Sequence, residues 1–270
     1  MEDHHTPIAL AATHHDPHGR LNAQAVRVLP RLREWYTHLA VVVTAATPSA
    51  SRETLRAAGV TVYEDASPPD TFRYLGRKRR RIVEAALEAS SATHVHLCDF
   101  DRVLHWAEFQ SADLRAALNQ IGRHDFTVLG RTPRAYASHP RVQRDTEALI
   151  NHAFALAFGQ LWDVGAASRG LSRRAAQALI AGCDDDTIGN DCSWPLFLAR
   201  HDGLRLGYLE TEGLEFETPD RYAAEIASAG GLDAWIARMD ASPAQWAHRL
   251  ELARIEVESV VKYSSPRGQA

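Results

Sequence analysis

Apolar positions along the chain switch repeatedly between a period of two and a period near 3.6, the marks of strand and amphipathic helix. Residues 8–13 form a short apolar run that ends in Thr13-His14-His15-Asp16-Pro17-His18-Gly19, which predicts a strand running into a polar loop. Leu21, Ala25, Val28, Leu29 and Leu32 then recur at helical spacing, residues 39–44 return to a β-branched run, and residues 51–58 read as helix before Gly59 and a strand at 60–63. Residues 76–87 predict a helix with a basic first turn, and residues 94–98 a buried strand that leads directly into Asp99-Phe100-Asp101. This alternation over about the first 130 residues predicts an α/β fold of Rossmann type, a mostly parallel sheet flanked by helices on both faces. Ligands of such sheets bind beyond the carboxyl ends of the strands, so the loops at 13–19, 65–70 and 99–101 are expected to converge on one crevice.

The second half reads as a strand at 126–129, a loop at 131–140, a helix at 142–158, and a short strand or turn at 161–165. A helix at 172–181, an acidic loop at 183–191, a helix to residue 200 and a strand at 204–209 follow. Residues 221–263 predict two helices, with Pro243 as a break or first-turn residue. No internal repeat or low-complexity linker separates these parts, so the expected organisation is one catalytic unit over 1–220 with a helical extension over 221–270 packed on it.

Composition narrows the function classes. The 270 residues are 45% hydrophobic and 24% charged, with 30 Lys and Arg against 34 Asp and Glu, and the net charge of -4 supplies no global basic field for nucleic acid or anionic membrane. Cys98, Cys183 and Cys192 show no CxxC spacing, which argues against a disulfide framework or thiolate zinc site and fits a reducing cytoplasm. The histidines are scattered, and the His4-His5 pair reads as a solvated terminus. The longest apolar runs, such as 39–43, have strand length and fall short of the roughly twenty residues of a membrane span. The first residues also lack the basic start and apolar stretch of a secretory signal.

The strongest chemical signal is the buried strand delivering Asp99 and Asp101 on the same side of an extended backbone. Two such carboxylates repel unless a cation neutralises them, and a hard divalent ion, Mg²⁺ or Mn²⁺, is the natural partner. The run Asp99-Phe100-Asp101-Arg102-Val103-Leu104 resembles the first motif of haloacid dehalogenase-type phosphatases, with Cys183-Asp184-Asp185-Asp186 as a candidate acidic motif. That family places a phosphate-binding lysine or arginine, usually lysine, between the two acidic motifs, and no lysine occurs between Asp101 and Asp184.

A second resemblance covers more of the chain. Gly76-Arg77-Lys78 opening a helix, then Ala85-Ala86-Leu87, His94 to Cys98 and Asp99-Phe100-Asp101, is similar to the run leading into the DxD motif of GT-A fold glycosyltransferases. Val128-Leu129-Gly130-Arg131, Asp163-Val164-Gly165 before Leu171-Ser172-Arg173, and Ile188-Gly189-Asn190-Asp191 opening a helix extend the likeness over residues 8 to about 218. The resemblance implies transfer of a sugar from a nucleotide-diphospho-sugar, a UDP- or GDP-sugar, to a hydroxyl of a small, lipid or saccharide acceptor. A non-catalytic sugar-nucleotide-binding protein is the third reading.

By the same resemblance Asp101 is the main metal ligand, Asp99 reaches the ribose or a metal-bound water, and Asp191 is the base for the acceptor hydroxyl. Asn190 or Asp191 equally suits a helix N-cap. Thr13, His14, His15 and Asp16 occupy the place where the family cradles base and ribose, Asp65 is a further base or ribose contact, and Arg77 and Lys78 are candidate phosphate ligands or part of a solvated basic face with residues 79–81. Trp162, Asp163, Gly165 and Trp194 are candidates to line the acceptor pocket, with core packing the competing role for the tryptophans. The family's additional metal ligand after the late strand, commonly His, has no match among Glu212, Glu215 and Glu217.

Overall fold

The computed structural model describes residues 6–67 and 72–264. The His4-His5 pair and residues 68–70 of the loop expected after the third strand lie outside the described residues.

The first half follows the sequence pattern: β1 (Ile8–His14), α1 (Asn22–Trp35), β2 (His38–Thr44), α2 (Ser49–Ala57), β3 (Thr61–Asp65), α3 (Leu75–Glu88) and β4 (His94–Asp99). Then come α4 (Phe100–Phe109), α5 (Ser111–Ile121), β5 (Phe126–Arg131), α6 (Pro133–Ala137), α7 (Arg141–Phe158), β6 (Ser168–Ser172), α8 (Arg173–Gly182), α9 (Asn190–Leu198) and β7 (Leu206–Thr211). The described chain closes with α10 (Ala223–Ala229), α11 (Leu232–Asp240) and α12 (Pro243–Ser264).

Of the strand or turn expected at 161–165, the turn forms, as a 3-10 turn at Val164–Ala166, with β6 just after it. Two local expectations are corrected. The tail holds three helices rather than two, because Gly230 and Gly231, with φ of 92° and 112°, adopt backbone that side-chain-bearing residues avoid and so part α10 from α11. Residues 133–137 of the expected loop are helical, capped by the Thr132 hydroxyl, which accepts from the Ala135 amide.

Among the described residues the strands form one sheet of order β3-β2-β1-β4-β6-β5-β7. β1 to β4 pair in parallel, β5 and β7 pair in parallel, and β6 runs antiparallel to both of its neighbours. The sheet is mostly parallel because crossover helices join its strands, and both faces are covered, as that topology requires. In β1, Ala9 and Ala11 join one apolar cluster with α3, α7, α8, α9 and α12, while Ile8, Leu10 and Ala12 join the opposite one with α1, α4 and α5. Two helical layers therefore sandwich the sheet. No helix among the described residues is long and apolar enough to cross a membrane.

The chain runs outward from β1 to β2 and β3, then returns to the other side of β1 as β4. Order reverses between β1 and β4, which opens a crevice at their carboxyl ends. Thr13 faces Asp99 across that switch point in the register of the pair. The carboxyl ends of β2, β3, β5 and β7, and the amino end of the antiparallel β6, lie on the same edge.

Candidate active site

Asp99 ends β4 and Asp101 lies in the first turn of α4, so the two carboxylates are presented by a strand-to-helix junction and not, as expected, from one extended strand, because the helix starts at Phe100. Thr13 Oγ1 donates to Asp99 Oδ1 at 2.6 Å, while Arg79 reaches Asp99 Oδ1 at 3.3 Å and Oδ2 at 3.5 Å. Burial pushes the Asp99 carboxyl up, but the Arg79 and Arg102 guanidiniums and the Thr13 hydroxyl outweigh it and hold the group below the usual carboxylate range. Asp101 Oδ1 accepts from the Arg102 amide at 2.9 Å, and its Oδ2 is paired with Arg221.

The donor set fits a hard divalent cation that brings ligands of its own. Asp99 Oδ2 has no closer partner than the 3.5 Å guanidinium contact. Among the described residues no group of three or more His, Cys, Asp or Glu is placed to hold a metal, so an ion held by this carboxylate pair would need water or ligand oxygens at its other positions. Glu212 and Glu215 pair with Arg134, and Glu217 with Arg102.

On the β1 side, a small cavity of about 70 Å³ is lined by Thr13, His14, His15, Thr44, Asp65 and Lys78 among others. Lys78 Nζ meets Asp65 at 2.9 Å on its wall, and Ser67 donates to Asp65 at 2.7 Å. Burial raises the Asp65 carboxyl, but Ser67 and Lys78 more than reverse this and hold it low. The neighbouring Arg77 donates to Ser67 at 2.8 Å and lies over the Tyr74 ring. The two residues of the basic first turn thus face the end of β3. Gly76 lets α3 approach the acidic loop: a Cβ there would lie 2.4 Å from the Asp185 carbonyl oxygen and 2.7 Å from that of Thr187.

His15 Nδ1 lies 2.8 Å from Thr44 Oγ1, and His14 packs edge-on against Phe100. Burial, with Arg221 nearby, lowers the His14 pKa to about 4 against the pull of Asp16, so the ring is neutral. Asp16 serves the loop itself: it is buried, and its Oδ2 accepts from the Leu21 amide at 2.9 Å at the start of α1.

Asp191 lies in the first turn of α9, but its carboxylate does not cap the helix. It accepts from Arg79 at 2.9 Å and from Arg169 at 3.3 Å, and is buried. Arg79, Asp99 and Asp191 therefore form one chain of contacts that joins the β4 junction to α9.

The four residues expected at an acceptor pocket are engaged in packing and hydrogen bonds. Trp162 stacks on Tyr208 and packs at a tilt against Phe158, at centroid distances of 5.6 and 4.4 Å, and it and Trp194 both belong to the apolar core. Neither presents a ring face to solvent, because the core in front of α7 and α9 needs their volume. Asp163 is spent on four donors, the Arg131 amide, Nε and NH2 at 2.7 to 3.0 Å and Asn151 Nδ2 at 3.1 Å, which hold its pKa low against burial. A Cβ on Gly165 would lie 3.2 Å from the Glu147 side chain, so this glycine allows close packing over α7.

Four arginines at the site were not singled out from the sequence: Arg79, Arg102, Arg169 and Arg221. Arg79 was grouped with a solvated face, yet it is buried with Ile82, Val83 and Ala86, three, four and seven residues on. An arginine in register with the apolar stripe of a helix was the available signal. Arg221 belongs to the 3-10 strap Thr218–Arg221, which crosses from β7 toward α10 over the junction. The strap is anchored where Asp220 accepts from Gln24 at 2.6 Å and pairs with His105 at 2.9 Å, and where Arg221 donates to the His15 carbonyl at 3.2 Å.

No protein-family model and no curated protein sequence matches the chain. Among solved structures it is similar to glucosyl-3-phosphoglycerate synthase from Mycobacterium tuberculosis in complex with Mn²⁺, UDP and phosphoglyceric acid, with a TM-score of 0.56 at 11% identity over 97% of this chain and 80% of that one. The complex of that enzyme with UDP gives a TM-score of 0.54 at 12% identity over 97% and 82% of the two chains. A further structure of the same synthase gives 0.55 at 12% identity with the same coverage. The likeness is one of fold, and the shared architecture is the GT-A fold.

Proposed function

We propose that the protein is a glycosyltransferase that moves a sugar from a nucleotide-diphospho-sugar to a hydroxyl acceptor, with Mg²⁺ or Mn²⁺ at the Asp99–Asp101 junction. The observation that carries this reading is the switch-point crevice itself, where Thr13 and Asp99 meet across β1 and β4 beside a cavity at the carboxyl ends of β1 and β2. The fold likeness to a synthase crystallised with UDP and Mn²⁺ supports it. A divalent ion bound there would neutralise charge that develops on a departing diphosphate.

The chain's own residues divide the remaining work. Thr13 and Arg79 hold Asp99 ionised, and Arg221 lies within reach of an anionic group placed at Asp101. The cavity at Thr13, His14, His15, Asp65 and Lys78 is the proposed seat of base and ribose, with UDP or GDP the nucleoside diphosphate. Asp191 is the proposed base for the acceptor hydroxyl, oriented by Arg79 and Arg169. The catalytic domain is assigned to residues 1–220, with 221–270 as an extension packed on it. The acceptor, small, lipid or saccharide, contributes the attacking hydroxyl. The cytoplasm is the proposed compartment, supported by three free and buried cysteines.

Against the phosphatase alternative stands the absence of a lysine between Asp101 and Asp184. Thermal unfolding against a panel of UDP, GDP and their sugar conjugates, with and without Mn²⁺, tests the proposal. Stabilisation that needs nucleotide and Mn²⁺ together is expected, and Tm unmoved by every combination would overturn it.

A further inference from the structure

Arg79 is 2% exposed, and its guanidinium lies between carboxylates from different halves of the site. NH1 donates to Asn190 Oδ1 at 2.8 Å and to Asp191 Oδ1 at 2.9 Å. NH2 reaches Asp99 only at 3.3 and 3.5 Å, outside the range of a strong charge-assisted hydrogen bond. The short bond to Asp99 comes instead from Thr13, at 2.6 Å. The fork therefore grips the α9 side and rests lightly on the β4 side.

A buried guanidinium is costly to keep out of water, and this one stands in the apolar stripe of α3, where a hydrophobic residue would pack without that penalty. Arg169, also buried, already gives Asp191 a second cation at 3.3 Å, so charge balance at Asp191 does not require Arg79 to touch Asp99 as well. What Arg79 adds is a rigid planar link between the two carboxylates that a lysine cannot make.

We propose that Arg79 is a positioning residue that couples the donor side to the acceptor side: it yields Asp99 to an incoming cation while keeping its hold on Asp191. The inference rests on the donor reading given above. It carries a consequence that a purely structural arginine would not share. Asp191 draws the guanidinium away from Asp99, so neutralising Asp191, which does not itself touch Asp99, releases Arg79 toward Asp99 and weakens cation binding there.

The test is a double-mutant cycle read by Mn²⁺ binding, with free Mn²⁺ followed by electron paramagnetic resonance in the presence of UDP. Asp191→Asn is expected to weaken Mn²⁺ binding by about 3- to 10-fold in the wild-type background, the size of effect a nearby like charge produces. In the Arg79→Met background, which binds Mn²⁺ at least as tightly as wild type, the same change is expected to shift affinity by less than about twofold, because the coupling element is gone. If Arg79→Met does not fold, Arg79→Lys replaces it: the ammonium keeps the charge but cannot span both carboxylates, so the Asp191→Asn effect should fall to less than half. An Asp191→Asn effect that is absent in the wild-type background, or equal in both backgrounds, overturns the coupling. A wild-type protein that binds neither Mn²⁺ nor UDP overturns the donor reading and the coupling with it, whereas normal wild-type binding without the predicted difference overturns the coupling alone.

Discussion

Three buried histidines predict a steep acid limit to stability. His96, His139 and His14 are each no more than 5% exposed, and burial, the largest cause for all three, lowers their pKa values to about 3, about 3 and about 4. His96 is the clearest case: its ring accepts or donates at 2.6 Å with the Tyr36 hydroxyl and at 2.9 Å with Ser168 Oγ, inside a shell that includes Trp106. Folded values below the unfolded value of about 6.5 mean that the unfolded chain binds more protons, so this stability is complete above pH 6.5 and is lost as pH falls toward the folded values. At pH 5 each histidine costs about 2 kcal/mol relative to neutral pH, or about 6 kcal/mol for the three, a large part of the 5–15 kcal/mol of a typical domain. His105 runs the other way, since Asp220 and the glutamates around it raise its pKa against burial, and it partly offsets the loss. A single substitution removes that ambiguity. Urea unfolding followed by tryptophan fluorescence at pH 8 and pH 5 should show a stability difference that is smaller in His96→Asn than in wild type by about 2 kcal/mol. Equal differences in the two proteins would refute the claim that His96 is held neutral by its surroundings.

Two further outcomes are expected. Arg221→Gln removes the cation paired with Asp101, so Mn²⁺ alone, without nucleotide, should bind about 3- to 10-fold more tightly than to wild type by calorimetry; weaker or equal binding would show that the Arg221 contact does not compete. Trp162→Ala empties a stacked aromatic site and should lower stability by about 3–5 kcal/mol in a denaturant titration, while UDP affinity in the presence of Mn²⁺ stays within about twofold of wild type.

The parallel half of the fold was legible because its strands are short apolar runs bounded by turn residues and its helices carry a 3.6-residue stripe. β6 escaped notice for a chemical reason. Its sequence, Ser168-Arg169-Gly170-Leu171-Ser172, has no apolar alternation, yet every residue is buried because Ser168 bonds His96 and Arg169 bonds Asp191. Side-chain pairing supplies there what apolar periodicity supplies elsewhere, and pairing across 22 or 72 positions leaves no local trace. α4 and α5 were unassigned because α4 starts within the acidic motif, so Asp101 belongs to a helix that a reader of strands does not look for. In the site, the carboxylates stood out by spacing, but their arginine partners did not. Arg79, Arg102 and Arg221 resemble any surface arginine until the fold brings each to an acid 20, 115 or 120 positions away, at Asp99, Glu217 and Asp101 respectively. Trp162 and Trp194 take the core-packing role that the sequence offered beside the sugar-platform one.

The packing of α12 against α7 and α9 has a bearing on how the molecule comes into being. Ser259 of α12 sits so close to Gly189, just before α9, that a Cβ on that glycine would lie 1.9 Å from the Ser259 hydroxyl. During synthesis the β1–β4 half, with its acidic junction, emerges first, while the backing of Asp191 waits for residues 243–264. A nascent chain thus presents the Asp99–Asp101 junction before α12 exists to pack behind α9, and the Asp191 side is backed only once this late helix has docked.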